Sequence, residues 1–232
     1  MYGGYAVNMG DNRFPWDSRA VRENNDWVPQ QRGMLAQQFA FGMVLGWMAL
    51  EELSHWMTNA SFAPDIAFAG TLARTRMAAA KYLVHGSAYR PVAIAAAPPT
   101  VAPIPTVSVC DWGDAFSEGT PVCCNVSTVL ATAWVTTAGE VALAVANHGT
   151  EAATVALSLQ LPTDYVSRGA DDADNVGELW ARPMVREEGE VDDIVPVAID
   201  GGSDWSRLMV ARVVKTLPGR SATVLELQPS HS

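Results

Sequence analysis

Cysteine is scarce in this chain: Cys110, Cys123 and Cys124 are the three among 232 residues. So few exclude a disulfide-stapled miniprotein. At least one thiol stays unpaired within the chain, and the adjacent Cys123 and Cys124 are poorly placed to bridge each other, so one internal disulfide is the most it can hold. No CxxC occurs and the four histidines lie far apart, so no metal centre is expected. Lysine is scarcer still, with two residues, and the 15 basic side chains face 25 acidic ones for a formal net charge of -10. The arginines are scattered, which excludes the basic face that nucleic acid requires. The first residues lack the basic start and apolar run of a secretory signal. The most apolar stretch, residues 34–50, is interrupted by Gln37 and Gln38 and closed by Glu51 and Glu52. It falls short of the roughly 20 residues of a membrane span, so no membrane partner is expected. GxSxG, P-loop and GxGxxG patterns are all missing, so neither a nucleophile elbow nor a phosphate cradle is expected, and no cofactor. The sequons at Asn59 and Asn125 are of a kind that chance supplies, and they decide nothing.

What the chain does have is core-forming material, 49% hydrophobic against 17% charged. Its periodicity changes near residue 90. Before that point Met, Trp, Gln and Arg recur with helical spacing; after it Val, Thr and Ala alternate between Asp, Gly and Asn turns. A boundary is expected over residues 90–105, where the prolines at 98, 99, 103 and 105 favour an extended connector or an edge strand.

In the first part, residues 5–9 read as a short strand. Pro29 then opens a helix on which Leu35, Phe39 and Met43 share a face widened by Ala36, Ala40 and Val44, with Gly42 and Gly46 unsettling its end. Residues 43–47 also read as a short buried strand. A second helix starts among Asn59, Ser61, Pro64 and Asp65, lays Ile66, Ala69, Ala73, Met77, Ala80 and Val84 along one face, and stops at Gly86. In the second part, residues 141–146 and 153–161 read as a hairpin through Asn147, His148 and Gly149. Residues 207–214 and 222–227 read as another through Leu217, Pro218 and Gly219. Ala222, Val224 and Glu226 fall on one face, Thr223, Leu225 and Leu227 on the other. Short, evenly spaced strands of this kind favour a β-sandwich.

Two features invite a chemical reading. Residues 171–193 hold nine carboxylates, but a calcium loop starting at Asp172 would place Val176 and Pro183 where oxygen ligands are needed, so the run reads as a solvated strand connection. The second feature is more specific. If residues 5–9 and 43–47 are neighbouring parallel strands, Asp11, Trp16, Asp17 and Trp27 follow one, while Trp47, Glu51, Glu52, His55 and Trp56 lie at or after the end of the other, at the same sheet edge. Indoles over sugar faces beside acid/base carboxylates suit glycoside chemistry, with Asp11, Glu51 and Glu52 as catalytic candidates and Trp16, Trp27, Trp47 and Trp56 as substrate platforms. The plain alternative is that the indoles roof strand ends and the acids cap helices.

The segments Tyr-Gly-Gly-Tyr-Ala-Val-Asn-Met-Gly-Asp at 2–11, Phe-Gly-Met-Val-Leu-Gly-Trp at 41–47 and Lys-Tyr-Leu-Val-His-Gly-Ser-Ala-Tyr-Arg-Pro at 81–91 resemble the last βα units of glycosidase-like (β/α)8 barrels. Residues 141–161 are similar to the β-sandwich that commonly follows such barrels. The resemblance implies an α+β chain, with a partial (β/α) barrel remnant over residues 1–95 and an antiparallel β-sandwich over residues 96–232. It implies carbohydrate as the partner. A barrel needs eight strands and this chain has room for about two before its sandwich begins. The expectation is therefore a C-terminal fragment of a glycoside-hydrolase-like protein, inactive alone, whose apolar helix face needs a missing N-terminal barrel segment or self-association. The competing expectation is a non-enzymatic module that holds glycan or protein on an exposed sandwich face through Trp112, Trp134, Trp180 or Trp205.

Overall fold

The computed structural model describes residues 27–45, 58–90, 92–96, 104–111, 122–162, 165, 179–184, 195–200 and 208–229. Three helices come first: α1 (Trp27–Ala40), α2 (Ala63–Ala78) and α3 (Ala80–Leu83). The strands are β1 (Ser87–Ala88), β2 (Ala93–Ala96), β3 (Thr106–Asp111), β4 (Val122–Ser127), β5 (Val129–Val135), β6 (Val141–Asn147), β7 (Ala153–Pro162), β8 (Leu179–Pro183), β9 (Val195–Asp200), β10 (Leu208–Leu217) and β11 (Ser221–Pro229). The class is α+β. Nine strands form one sheet in the order β1-β5-β6-β11-β8-β9-β10-β7-β2, and β3 and β4 form a separate ladder. Every strand pairing among the described residues is antiparallel.

The sheet curls into a half-barrel because β9 changes partners midway. Its first half pairs β8 (Ala181↔Val195 to Leu179↔Val197), while its second half pairs β10 (Arg212↔Ala198 to Val210↔Asp200). A strand that switches neighbours in this way makes a corner. The arms on either side, β1-β5-β6-β11-β8 and β10-β7-β2, therefore face each other. Val141, Leu143 and Val145 of β6 meet Val155, Leu157, Leu159 and Leu161 of β7 in one buried cluster with Leu225, Leu227, Val213 and Leu217.

The alternation read from the sequence assigns faces correctly. Leu225 and Leu227 line the inner cluster, and Ala222 and Val224 line the outer one. The two hairpins are overturned. β6 pairs with β5 and β11, and β7 with β2 and β10, so residues 148–152 cross from one arm to the other, as do residues 218–220. The reason is the branched aliphatic face that both strands carry. Facing across the core buries β6 and β7 on each other, which lying side by side would not do. The tight hairpin next to these crossings is β5 to β6, turned at Gly139 with Thr136 N donating to Glu140 O at 2.9 Å.

Alternation on β6 also explains where the helices sit. Val141, Leu143 and Val145 point inward; Ala142, Ala144 and Ala146 point outward and are completely buried. Small outer side chains let Leu35, Phe39, Phe68, Leu72, Tyr82 and Leu83 approach the sheet closely. On α1, Leu35, Ala36, Phe39 and Ala40 are buried, and what covers Leu35 and Phe39 is the outer face of this chain's own sheet rather than the missing segment or second copy expected; Met43 is not on the helix. The chain leaves the helix at Gly42, whose φ of 65° is a left-handed cap conformation. Met43 N donates to Gln38 O at 2.8 Å and Gly42 N to Phe39 O at 3.0 Å, closing the last turn. A Cβ at Gly42 would lie 2.5 Å from Trp134 Cη2. Trp134 in turn donates its indole N–H to Ala40 O at 3.0 Å.

The second helix starts where expected but does not run on to Gly86: α2 ends at Ala78, Ala79 breaks it, and the four-residue α3 follows. It also buries a different face. Asn59 caps a short 3-10 turn (Ala60–Phe62), its side chain accepting from Ser61 N at 3.0 Å. Pro64 lies in the first turn of α2. The buried stripe is Asp65, Phe68, Ala69, Leu72 and Thr75, continued by Tyr82 and Leu83, whereas Met77 is 68% exposed and Val84 42%. With alanine on most sides of the helix, the large residues set the orientation, and Phe68 and Leu72 outweigh a stripe built on Ala69, Ala73 and Ala80. Within the expected boundary segment 90–105, residues 93–96 form the edge strand β2, paired to β7, and the prolines at 98, 99 and 103 lie outside the described residues.

Of the parallel strands expected in the first part, residues 5–9 lie outside the described residues. Within 43–47, residues 43–45 carry only a single bridge, at Val44, and 46–47 are outside.

Candidate functional site

The crossings β6 to β7 and β10 to β11 lie against each other because β6 neighbours β11 and β7 neighbours β10. Asn147 clasps them. Its amide nitrogen donates to Glu151 O at 2.8 Å, Leu217 O at 3.2 Å and Pro218 O at 3.0 Å, while its oxygen accepts from Gly149 N at 3.1 Å. Arg220 N donates to Gly149 O at 2.8 Å. The approach is so close that a Cβ on Gly219 would fall 2.2 Å from Thr150 O, which only glycine allows. Arg220 takes a positive φ of 53°. Its side chain extends to helix α2, where Nε donates to Asp65 Oδ1 at 3.2 Å.

Asp65 is the hub. The same oxygen accepts from Arg32 Nη1 of α1 at 3.0 Å, and Arg32 Nε donates to His148 O at 3.0 Å. Asp65 is 3% exposed and Arg32 8% by side chain, so the ion pair is buried, and the partly exposed Arg220 adds a second cation to the same carboxylate oxygen. His148 is buried beside it. Since a carbonyl can only accept, His148 Nε2 donates to Ser127 O at 3.0 Å, leaving Nδ1 without a hydrogen-bond partner among the described residues. Burial holds the imidazole below its ordinary value against the pull of the Ser127 bond, and the Arg32 charge lowers it further.

A second cluster joins α3 to the outer sheet face. Tyr82 OH donates to Glu226 Oε1 at 2.7 Å, Gln228 Nε2 donates to Glu226 Oε2 at 2.6 Å, and Lys81 ion-pairs with Glu226. Lys81 also reaches Glu140 at 3.4 Å and lies 4.9 Å from the centroid of the Tyr82 ring. Burial works against the charge on Glu226, but the hydrogen bonds from Lys81 and Tyr82 outweigh it and hold the carboxyl below the usual range. Burial also opposes the Lys81 charge, and the Glu226 bond and charge more than compensate, so Lys81 is raised. The Tyr82 hydroxyl is pushed far up by burial and then by its bond to Glu226, so it stays protonated and donating.

Chemically, both clusters are satisfied ion networks rather than poised acid/base pairs. Asp65 is bound to two guanidiniums and Glu226 to an ammonium and a phenol. Among the described residues, no three His, Cys, Asp or Glu side chains converge as metal ligands would, and no helix is long and apolar enough to cross a membrane.

Of the residues singled out from the sequence, Asp11, Trp16, Trp47, Glu51, Glu52 and Trp56 lie outside the described residues, as do Asp17 and His55. Trp27 is the first residue of α1. The described residues therefore bring none of these together. Trp134, expected on an exposed sandwich face, is instead buried beneath the end of α1, because its indole both fills the space over Gly42 and satisfies a helix-terminal carbonyl. Trp180 is half-buried on β8; Trp112 and Trp205 lie outside the described residues. Sequence reasoning missed the Arg32, Asp65, Arg220 and Asn147 network. Asp65 read as a helix-start residue and Asn147 as a turn residue, and neither role signals a partner more than 30 positions away. Comparison with protein-family models, with curated proteins and with solved structures finds no match.

Proposed function

We infer that this chain is the C-terminal portion of a carbohydrate-active, glycoside-hydrolase-like protein, the last βα units of a (β/α)8 barrel with the β-sandwich-type module that follows it, and that it does not cleave glycosides alone. The observation that carries this reading is the path of residues 81–90. Helix α3 ends at Leu83 and the chain passes through Gly86 directly into β1, an edge strand of the antiparallel sheet on β5. That is the segment whose sequence resembles the last helix-bearing unit before a sandwich. The inactivity of the chain alone is supported by the commitment of Asp65 and Glu226 to cations. Glycoside cleavage needs two carboxylates with lone pairs or a proton to give, about 5 to 9.5 Å apart. In this reading Asp11, Glu51 and Glu52 contribute acid/base carboxylates and Trp16, Trp27, Trp47 and Trp56 contribute sugar platforms only once further barrel strands hold them.

The test compares aryl-glycoside hydrolysis by the purified chain with hydrolysis by the same chain extended in frame through its upstream codons. The extended protein is expected to turn over and to lose turnover in Asp11→Asn or Glu51→Gln. Turnover by the chain alone that disappears in those variants would overturn the reading. A second reading, a non-enzymatic module that binds glycan or protein, is favoured by Trp180, which alternates with the inward Leu179 and Ala181 and so lies on the outer side of β8, half-buried. Glycan-array binding abolished by Trp180→Ala, with an inactive extended protein, would select it.

A further inference from the structure

The separate β3–β4 ladder sets two of the three cysteines opposite each other. Its register runs from Thr106↔Ser127 through Val109↔Cys124 and Cys110↔Cys123 to Asp111↔Val122. Directly opposed residues of an antiparallel pair have Cα atoms about 4.5 Å or about 5.5 Å apart, according to whether the pair exchanges hydrogen bonds. Both values fall within the roughly 4.4 to 6.8 Å that a disulfide spans. Cys124 is opposite Val109, and because successive residues of a strand alternate faces, it belongs to the other face from Cys123. We propose that Cys110 and Cys123 form a cross-strand disulfide that locks the β3–β4 ladder, and that Cys124 remains a thiol.

The step is thiol–disulfide exchange with a small disulfide such as oxidised glutathione. One cysteine thiolate attacks a glutathione sulfur, forming a mixed disulfide and releasing one glutathione thiolate. The second cysteine thiolate displaces the other. The protein dithiol is oxidised by two electrons, the oxidant is reduced to two glutathiones, and these take up the two protons the cysteines lose. The lock sits at a place that matters to the rest of the fold. β4 leads through Ser127 and Thr128 into β5, and these two residues supply the carbonyls that bind His148 Nε2 and His148 N, at 3.0 Å and 2.8 Å. Thr128 N in turn donates to Pro105 O, at the foot of β3, at 2.9 Å. Fixing the ladder therefore fixes the support beneath the crossing of the two arms.

The experiment equilibrates the full chain with oxidised glutathione, blocks free thiols with iodoacetamide without reduction, and maps the peptides by mass spectrometry. The expected result is a Cys110 to Cys123 linked peptide lacking two hydrogens, carbamidomethyl on Cys124 alone, and a melting temperature that falls on adding reductant. Cys124→Ser should keep the linkage and the reductant-dependent shift, and Cys110→Ser should lose both. Alkylation of all three cysteines after oxidation, or linkage through Cys124 in the wild-type chain, would overturn the proposal.

Discussion

The two sides of strand β6 are built by opposite means. Inward, Val141, Leu143 and Val145 fill a cluster drawn from both arms of the sheet; outward, Ala142, Ala144 and Ala146 leave room for helices. The inner side is built mainly of aliphatic bulk, with Tyr165 donating to Leu227 O at 2.8 Å and accepting from Val141 N at 3.2 Å. The outer side, where the strand's own side chains are small and the helices supply the bulk, is pinned by the Arg32, Asp65 and Arg220 network at one place and by Lys81, Tyr82 and Glu226 at another. The outer layer thus combines large helix side chains packed on a small-residue sheet face with buried polar contacts that fix where the helices sit.

Breaking the outer pins at their hub has the largest expected effect. Asp65→Ala leaves Arg32 buried without its carboxylate and frees Arg220, and should lower stability by about 3–5 kcal/mol in urea unfolding. A loss under about 1 kcal/mol would mean that the hub does not hold helices to sheet. On the inner side, Leu157→Ala removes a fully buried side chain between the arms and should reduce stability by about 2–5 kcal/mol. If the two sides are separate layers, the two losses add; a double variant measures the coupling. Gly42→Ala combines a positive φ with a close approach to Trp134 and to Leu83 O, and a drop of about 2 kcal/mol is expected, read from the thermal midpoint.

The pH dependence sharpens the contrast. His148 is held below its unfolded value, so between that lowered value and about pH 6.5 the unfolded chain binds the extra proton and stability falls with acidification. Urea midpoints measured from about pH 8 down to about pH 5 should show this loss, and His148→Gln, which can still donate to Ser127 O, should remove it. A wild-type midpoint that is flat across that range would contradict a neutral, buried imidazole. Glu226 acts lower: its depressed carboxyl stabilises above its unfolded value of about 4.3, and that contribution disappears as pH falls through the folded one. The smallest effect is expected for Lys81→Ala, no more than about 1 kcal/mol, because its ammonium is partly in solvent.

These contrasts also explain what the sequence made legible. Alternation in residues 141–146, 153–161 and 222–227 reveals which residues face inward, since side-chain direction is a local property of a strand. Partnering is not local. A five-residue polar connection such as 148–152 suits a hairpin or a crossing, and the choice rests on Asn147 reaching carbonyls of residues 217 and 218. The start of the second helix is readable from Asn59 and Pro64, because capping is chemistry of adjacent residues; the ends are not, since α1 stops before Met43 and Val44 and α2 stops at Ala78 rather than at Gly86. Nor is the buried face of α2 readable, because an alanine-rich helix offers apolar stripes in several directions and Phe68 and Leu72 decide only once a sheet is present. Apart from Trp27, the first residue of α1, the carboxylates and indoles of the expected glycoside site lie outside the described residues, so their grouping rests on the parallel strands expected at 5–9 and 43–47. Asp65 escaped notice because its partners, Arg32 and Arg220, are brought to it only by folding.

The central structural claim is that β6 and β7 face each other across the core while β6 pairs with β11 and β7 with β10. Backbone nuclear Overhauser contacts in the full chain test it directly. Cross-strand contacts are expected between the Ala144 and Val224 pair and between the Leu157 and Val213 pair, in the observed registers. A ladder of backbone contacts running from β6 to β7 through a hairpin at Asn147 to Gly149 would contradict it.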